Sequence, residues 1–329
     1  MKFKIDVNET TDKTLEYLFS LLPPYFKASI LDFLSQNKIT YVNEIRIKKN
    51  SFICLIADSK NIKTDIYVND FYMEELFLSL CQGSIYAHIE TIKDGYISLG
   101  QGLRAGICGT AVLDGKNFDK IKNISSINIR IPGRIYGASS YLFNLLEKSN
   151  FNKSILLYSP PGVGKTSILR DLIIKLNSVS PPIRFSVIDS REEIITPYFE
   201  NCIFDVFLSY PKGLAIELAT KSMTPQIIIC DEISSEEEAI SILKASHNGV
   251  KLIATTHAST YNEVSSKIIL KPLIESNIFD YFIGVNRQYG EKKYSFTLNE
   301  CQPNKKWKLL AHYVSFSLRF LQATTMKNL

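Results

Sequence analysis

Nowhere in the 329 residues do about 18 apolar side chains follow one another, so no membrane-spanning helix is expected. The opening residues, Met1-Lys2-Phe3-Lys4-Ile5-Asp6, lack the apolar core of a secretion signal because charged residues interrupt them at once. The six cysteines (Cys54, Cys81, Cys108, Cys202, Cys230 and Cys301) form no C-x-x-C pair. Their dispersal argues against a zinc site and a disulfide framework, and reads as buried free thiols in a reducing cytosol. Internal repeats and low-complexity tracts are absent. Arginine is scarce, nine residues against 29 lysines, so a position that does hold arginine more readily needs its planar fork.

What is present is ordinary globular material. The chain is 45% hydrophobic and 22% charged, and its length predicts two domains. The net charge of +5 is too small to name nucleic acid as a partner. It is also uneven: residues 1–150 carry +2, residues 151–275 carry −2 and residues 276–329 carry +5.

The first 120 or so residues read as a small α+β unit. Helical spacing runs from Thr11 to Leu22, stops at Pro23-Pro24 and resumes from Tyr25 to Leu34. Alternation predicts strands over Tyr41–Lys48, Phe52–Ala57, Tyr96–Leu99 and Ala105–Leu113, with a helix capped by Asp70 between them. Residues 114–125 are polar and read as a long turn. Ile127–Arg134 alternates, ends in a Pro-Gly break, and is the expected connector. From residue 151 apolar strands (Ser154–Tyr158, Phe185–Asp189, Val206–Ser209, Ile227–Asp231, Leu252–Thr256) alternate with helical patterns. That order predicts a mostly parallel, doubly wound α/β sheet, closed by a hairpin of Phe279–Val285 and Tyr294–Leu298. The expected division is therefore 1–135 as N-terminal α+β domain and linker, 136–299 as a P-loop (RecA-like) domain, and 300–329 as a basic, apolar extension.

One stretch carries specific chemistry. A strand leads into Ser159-Pro160-Pro161-Gly162-Val163-Gly164-Lys165-Thr166-Ser167, and a helix follows. This is the order of a phosphate loop, in which glycines let backbone N–H groups converge on phosphate oxygens. Lys165 would reach the β- and γ-phosphates of ATP, and the Thr166 hydroxyl suits Mg²⁺. Ser159 stands where the usual first glycine would be.

Nucleotide hydrolysis also needs carboxylates. Gln226–Cys230 is an apolar strand ending in Asp231 and Glu232; Asp231 would hold Mg²⁺ through water and Glu232 would orient or deprotonate the attacking water. Asp189-Ser190-Arg191-Glu192-Glu193 closes another strand, so Asp189 and Glu193 are candidates to face the nucleotide or its metal, with Arg191 as an ion partner. A purely structural ion cluster remains the alternative there. His257, at the end of Leu252–Thr256, is placed to sense a γ-phosphate or simply to cap; His88, His247 and His312 have no such placement.

Taken together, Lys221–Gln226 into Asp231-Glu232-Ile233, Asp189-x-Arg191-x-Glu193-Ile194, and Gly249-Val250 into Ala254-Thr255-Thr256-His257-Ala258 resemble the stage III sporulation protein AA family. Upstream, Val42–Arg46, Leu103–Gly109 and Ile127–Ile131 also look like that family's N-terminal domain. Ser159, Lys221 and Leu103 depart from its usual Gly, Arg and His. The resemblance implies a hexameric ring ATPase similar to the motors of type II and type IV secretion systems and pili. Such a motor would energise a secretion-like channel between mother cell and forespore, from the cytoplasmic face of the membrane, on integral membrane partners. A neighbouring subunit would supply an arginine finger, for which Arg104, Arg130 and Arg134 are candidates; ordinary salt bridges are the alternative for each. No nucleic acid is expected, because residues 1–150 hold no recognised DNA- or RNA-binding signature. A nucleic-acid-dependent ATPase and a non-catalytic nucleotide-binding scaffold are the competing readings. The extension, from Trp307 to Leu321, is expected to pack on its own domain or on a partner, with membrane docking as the alternative.

Overall fold

The computed structural model describes residues 9–39, 42–57, 60–115, 117–132, 137–196, 199, 202–287, 293–300, 308–310 and 316–317. The chain divides into two compact units: Met1–Arg134 with Arg191–Asn201, and Ile135–Ser190 with Cys202–Leu329. The short segment that follows Ser190 thus groups with the N-terminal unit.

In that unit α1 (Glu9–Leu21) ends where Pro23 and Pro24 remove backbone donors, and α2 (Pro24–Gln36) begins with Pro24 in its first turn. Six antiparallel strands follow: β1 (Glu44–Lys48), β2 (Ser51–Ala57), β3 (Lys60–Val68), β4 (Tyr96–Gly100), β5 (Leu103–Asp114) and β6 (Asn117–Arg130), in spatial order β3-β2-β1-β6-β5-β4. Between β3 and β4 lie α3 (Asp70–Leu80) and α4 (Ile89–Lys93). Alternate strand residues (Ile45, Ile47, Ile53, Leu55, Ile97, Leu99, Ile127, Ile129) pack against Leu18, Phe26, Ile30, Met73 and Leu76 of the helices. Asn69, rather than the expected Asp70, caps α3 by accepting from the Tyr72 amide at 2.9 Å; Asp70 falls in the first turn. The polar stretch 114–125 is not a long turn. β5 and β6 stay paired, with two register shifts, as far as Asp114 and Asn117. Backbone hydrogen bonds carry this hairpin beyond the core, so its exposed side chains need not be apolar.

The second unit contains α5 (Ser140–Lys148), β7 (Ile155–Ser159), α6 (Lys165–Asn177), β8 (Phe185–Asp189), β9 (Asp205–Leu208), α7 (Lys212–Leu218), β10 (Ile227–Glu232), α8 (Glu236–His247), β11 (Lys251–His257), α9 (Tyr261–Ser266), α10 (Lys271–Glu275), β12 (Tyr281–Asn286) and β13 (Lys293–Glu300). Strands β12-β7-β11-β10-β8-β9 are consecutive parallel neighbours, and β13 joins antiparallel to β12. The mixed α/β architecture is therefore a mostly parallel sheet. Its central strands are buried throughout, which is why they read as unbroken apolar runs. Two short strands of the C-terminal extension, β14 (Lys308–Leu310) and β15 (Phe316–Ser317), pair with β13; Trp307 and the rest of the extension lie outside the described residues.

Asp171 of α6 pins the start of α5. Its carboxylate accepts from the amides of Gly137 (3.0 Å) and Ser139 (2.8 Å) and from the Ser139 hydroxyl (2.6 Å). The five described cysteines are free; Cys81 and Cys230 are buried, whereas Cys108 is exposed. No helix among the described residues is long and apolar enough to cross a membrane.

Candidate functional site

Parallel pairing brings the C-terminal ends of β7, β11, β10 and β8 to one edge of the second unit's sheet, the edge at which such sheets bind ligands. Ser159 pairs with His257, Glu232 with Thr255, and Cys230 with Ile188. The residues beyond these pairs therefore converge.

The loop from Ser159 to Gly164 turns on two glycines with positive φ, +77° at Gly162 and +115° at Gly164. Gly164 is also the N-cap of α6 and makes no side-chain cap bond. The first amides of α6, with the positive end of its dipole, are thereby left for an anion. A Cβ on Gly164 would overlap the Tyr294 hydroxyl, which β13 packs against the loop. Gly162 has open space around it. Pro160 and Pro161 are exposed, Val163, Thr166 and Ser167 are half-buried, and Thr166 and Ser167 lie in the first turn.

Lys165 is buried and folded back on its own loop. Its ammonium donates to the Ser159 carbonyl (2.9 Å), the Ser159 hydroxyl (3.1 Å) and the Pro160 carbonyl (3.4 Å), and it lies 2.8 Å from His257 Nδ1. The opposite imidazole nitrogen, Nε2, is 3.1 Å from Glu232 Oε2. A charged Lys165 makes Nδ1 an acceptor, so the ring proton belongs on Nε2 and points at Glu232. Burial pushes the Lys165 ammonium down to about 8; Glu232 opposes that shift and Lys267 adds to it. Lys267 donates to the His257 carbonyl and to the Thr256 hydroxyl (3.3 Å), which fixes the end of β11.

Asp231 is buried, with Lys212 Nζ 2.7 Å from its Oδ1. Lys212 also donates to the Glu232 carbonyl. Neither Lys212 nor Lys267 carries a sequence signal: each is a single lysine in a polar stretch, and only the topology aims it at a strand end. Asp189 is fully buried, one step past the Ile188–Cys230 pairing.

Other anticipated residues group with the N-terminal unit. Glu193 belongs to the N-terminal unit, where Arg104 holds its carboxylate at 2.7 Å. The same guanidinium lies over the Tyr96 ring, 3.4 Å from its centre. Arg130 is exposed at the end of β6, and Arg134 lies outside the described residues. Among the described residues no group of three or more His, Cys, Asp or Glu side chains could by itself hold a metal. The Thr166 hydroxyl and Asp231 carboxylate are hard oxygen donors of the kind Mg²⁺ takes when substrate phosphates and water complete its shell.

Comparison with known proteins places the chain further. The family described as "Sporulation stage III, protein AA" matches residues 25–295. Stage III sporulation protein AA of Bacillus subtilis (strain 168) is 28% identical over 281 residues, covering 82% of this chain and 90% of that protein. Among solved structures, the pilus retraction motor PilT with bound ADP superposes with a TM-score of 0.61 at 14% identity, over 84% of each chain. The Legionella pneumophila ATPase DotB gives 0.55 at 17% identity, over 80% of this chain and 76% of that one. The shared feature is the fold.

Proposed function

The chain belongs to the sporulation stage III protein AA family, and from that premise we propose that it is a Mg²⁺-dependent ATPase with a RecA-like P-loop domain. It works as a homo-oligomeric, hexameric ring, at the membrane of the mother cell, energising a secretion-like channel through integral membrane partners. The observation that carries the reading is the chain of contacts from Lys165 through His257 to Glu232, beside an uncapped helix start and Asp231. Support also comes from the fold it shares with a pilus retraction motor that binds ADP.

The residues divide the work. Amides from Gly162 to Ser167 bind the β- and γ-phosphates, and Lys165 exchanges the Ser159 and Pro160 carbonyls for phosphate oxygens. Thr166 and Asp231 would hold Mg²⁺, which neutralises phosphate charge when bound. Glu232 orients the attacking water and accepts its proton. His257 relays the position of Lys165 to Glu232 through its two ring nitrogens. Arg104 or Arg130 remains a candidate to act on a neighbour's nucleotide.

Glu232→Gln is expected to keep nucleotide affinity within a few-fold at pH 7 and lower turnover by on the order of 10²–10⁴-fold, the usual contribution of a general base. Unchanged hydrolysis in that variant overturns the assignment. Sizing the purified protein with and without ATP and Mg²⁺, alongside hydrolysis, tests the ring; a fully active, strictly monomeric enzyme excludes it.

A further inference from the structure

Among the described residues, the most deeply buried cation is one that the mechanism above does not use. Lys212 is the first residue of α7 and only 6% exposed. An ammonium there loses nearly all of its water, so its three donors must be matched within the protein. The backbone carbonyl of Glu232 accepts directly, and Asp231 Oδ1 at 2.7 Å and Glu238 Oε1 at 3.6 Å balance the charge as ion pairs. Glu238 in turn accepts from the Ser234 amide at 2.7 Å through its other oxygen, and its own amide is capped by Ser235 at 3.2 Å. One ammonium therefore ties the last two residues of β10 to the first turn of α8. It grips the side chain of one candidate catalytic carboxylate and the backbone of the next.

A lysine this buried could serve stability alone, but its partners argue for more. It spends its donors on Asp231 and Glu232, the two residues whose placement sets the chemistry, and none on the apolar core beneath. We propose that Lys212 is a positioning residue, which fixes the Asp231 carboxylate and the Glu232 backbone in the geometry that hydrolysis requires. The inference rests on the ATPase reading given above.

The test uses the full chain with Lys212→Met, Asp231→Asn and the two combined. Turnover at saturating ATP is read beside the affinity of a fluorescent ADP analogue in EDTA and the melting temperature. Lys212→Met is expected to lower kcat by on the order of 100-fold, the loss that follows displacement of a reacting group by about 1 Å. Affinity for the analogue stays within about threefold, because the phosphate loop is untouched. The double variant is expected to lose less than the two single losses combined, because the lysine acts in part through that carboxylate. Adding Asp231→Asn should also restore part of the melting temperature that Lys212→Met loses, by removing a buried, uncompensated charge. Three results overturn the proposal: kcat of Lys212→Met within about twofold of wild type, affinity that falls in parallel with kcat, or additive losses in the double variant. If Lys212→Met does not fold, the comparison of the double variant with Asp231→Asn decides. A wild-type chain that hydrolyses no ATP overturns the ATPase reading instead, and the melting temperatures then judge the clamp alone.

Discussion

Nucleotide affinity of the metal-free protein should fall as pH rises through about 8, because that is where burial has pushed Lys165 from its ordinary 10.5. The unliganded ammonium is then about nine-tenths charged at pH 7 and about one-tenth charged at pH 9. A phosphate binds the charged form, so affinity weakens about tenfold over that interval, or ~1.4 kcal/mol. The linkage sign agrees. A depressed lysine value means that the fold gains least from this group below pH 8 and most above 10.5. Bound phosphate offsets the cost of burying the charge, and does so only where the charge exists. The assay is titration of a fluorescent ATP analogue in EDTA, at constant ionic strength, from pH 6.5 to 9.5. Two variants sharpen it. Glu232 holds the Lys165 value up and Lys267 holds it down. Glu232→Gln should therefore move the midpoint to lower pH, and Lys267→Met to higher pH. Affinity that stays flat from pH 7 to 9, or a midpoint near the ordinary lysine value, would refute the reasoning.

Gly164→Ala places a side chain at φ +115° and against the Tyr294 hydroxyl, and is expected to cost about 2–3 kcal/mol in denaturant unfolding. Tyr294→Phe in the same background should recover part of that loss; no recovery would show that the overlap is not the cause. Asp171→Ala strips three donors of their shared acceptor and should cost about 3 kcal/mol, with Asp171→Asn intermediate. A urea-unfolding loss below about 1 kcal/mol would remove Asp171 as the anchor of α5.

Local chemistry made the glycine turn before α6 and the buried strands legible. Glycines at 162 and 164, a lysine and a threonine must be contiguous to work, and an apolar strand such as Ile227–Cys230 announces burial on both faces. Where only backbone pairing holds an element, the sequence gives little sign. β6 begins at Asn117 amid polar residues, and β3 opens with two exposed ones before Thr64, Ile66 and Val68 turn inward. The α3 cap slipped by one position because Asn69 and Asp70 both carry an acceptor, and only backbone geometry chooses between them. Lys212 and Lys267 are invisible for another reason: their partners lie 10 to 26 positions away.

Residues 189–193 show where such reading ends. Asp189 closes β8 in the parallel sheet, but Glu192 and Glu193 belong with the antiparallel one, bonded to Ser98 at 2.6 Å and Arg104 at 2.7 Å. Glu192 takes a φ of +56°, which costs about 1–2 kcal/mol for an L-residue. Charge-assisted bonds of about 1.5–3 kcal/mol each are enough to offset it. A carboxylate near a strand end has the same sequence signature whether it meets a histidine or an arginine, so only the tertiary pairing separates Glu193 from Glu232. The pairing bears on Arg104 as well. To serve a neighbour's nucleotide it must first give up Glu193 and its stacking on Tyr96, whereas Arg130 starts from water at the end of β6. If an arginine acts between subunits, Arg130→Ala should therefore depress turnover only in the assembled ring, and Arg104→Ala should first loosen the segment that carries Glu193.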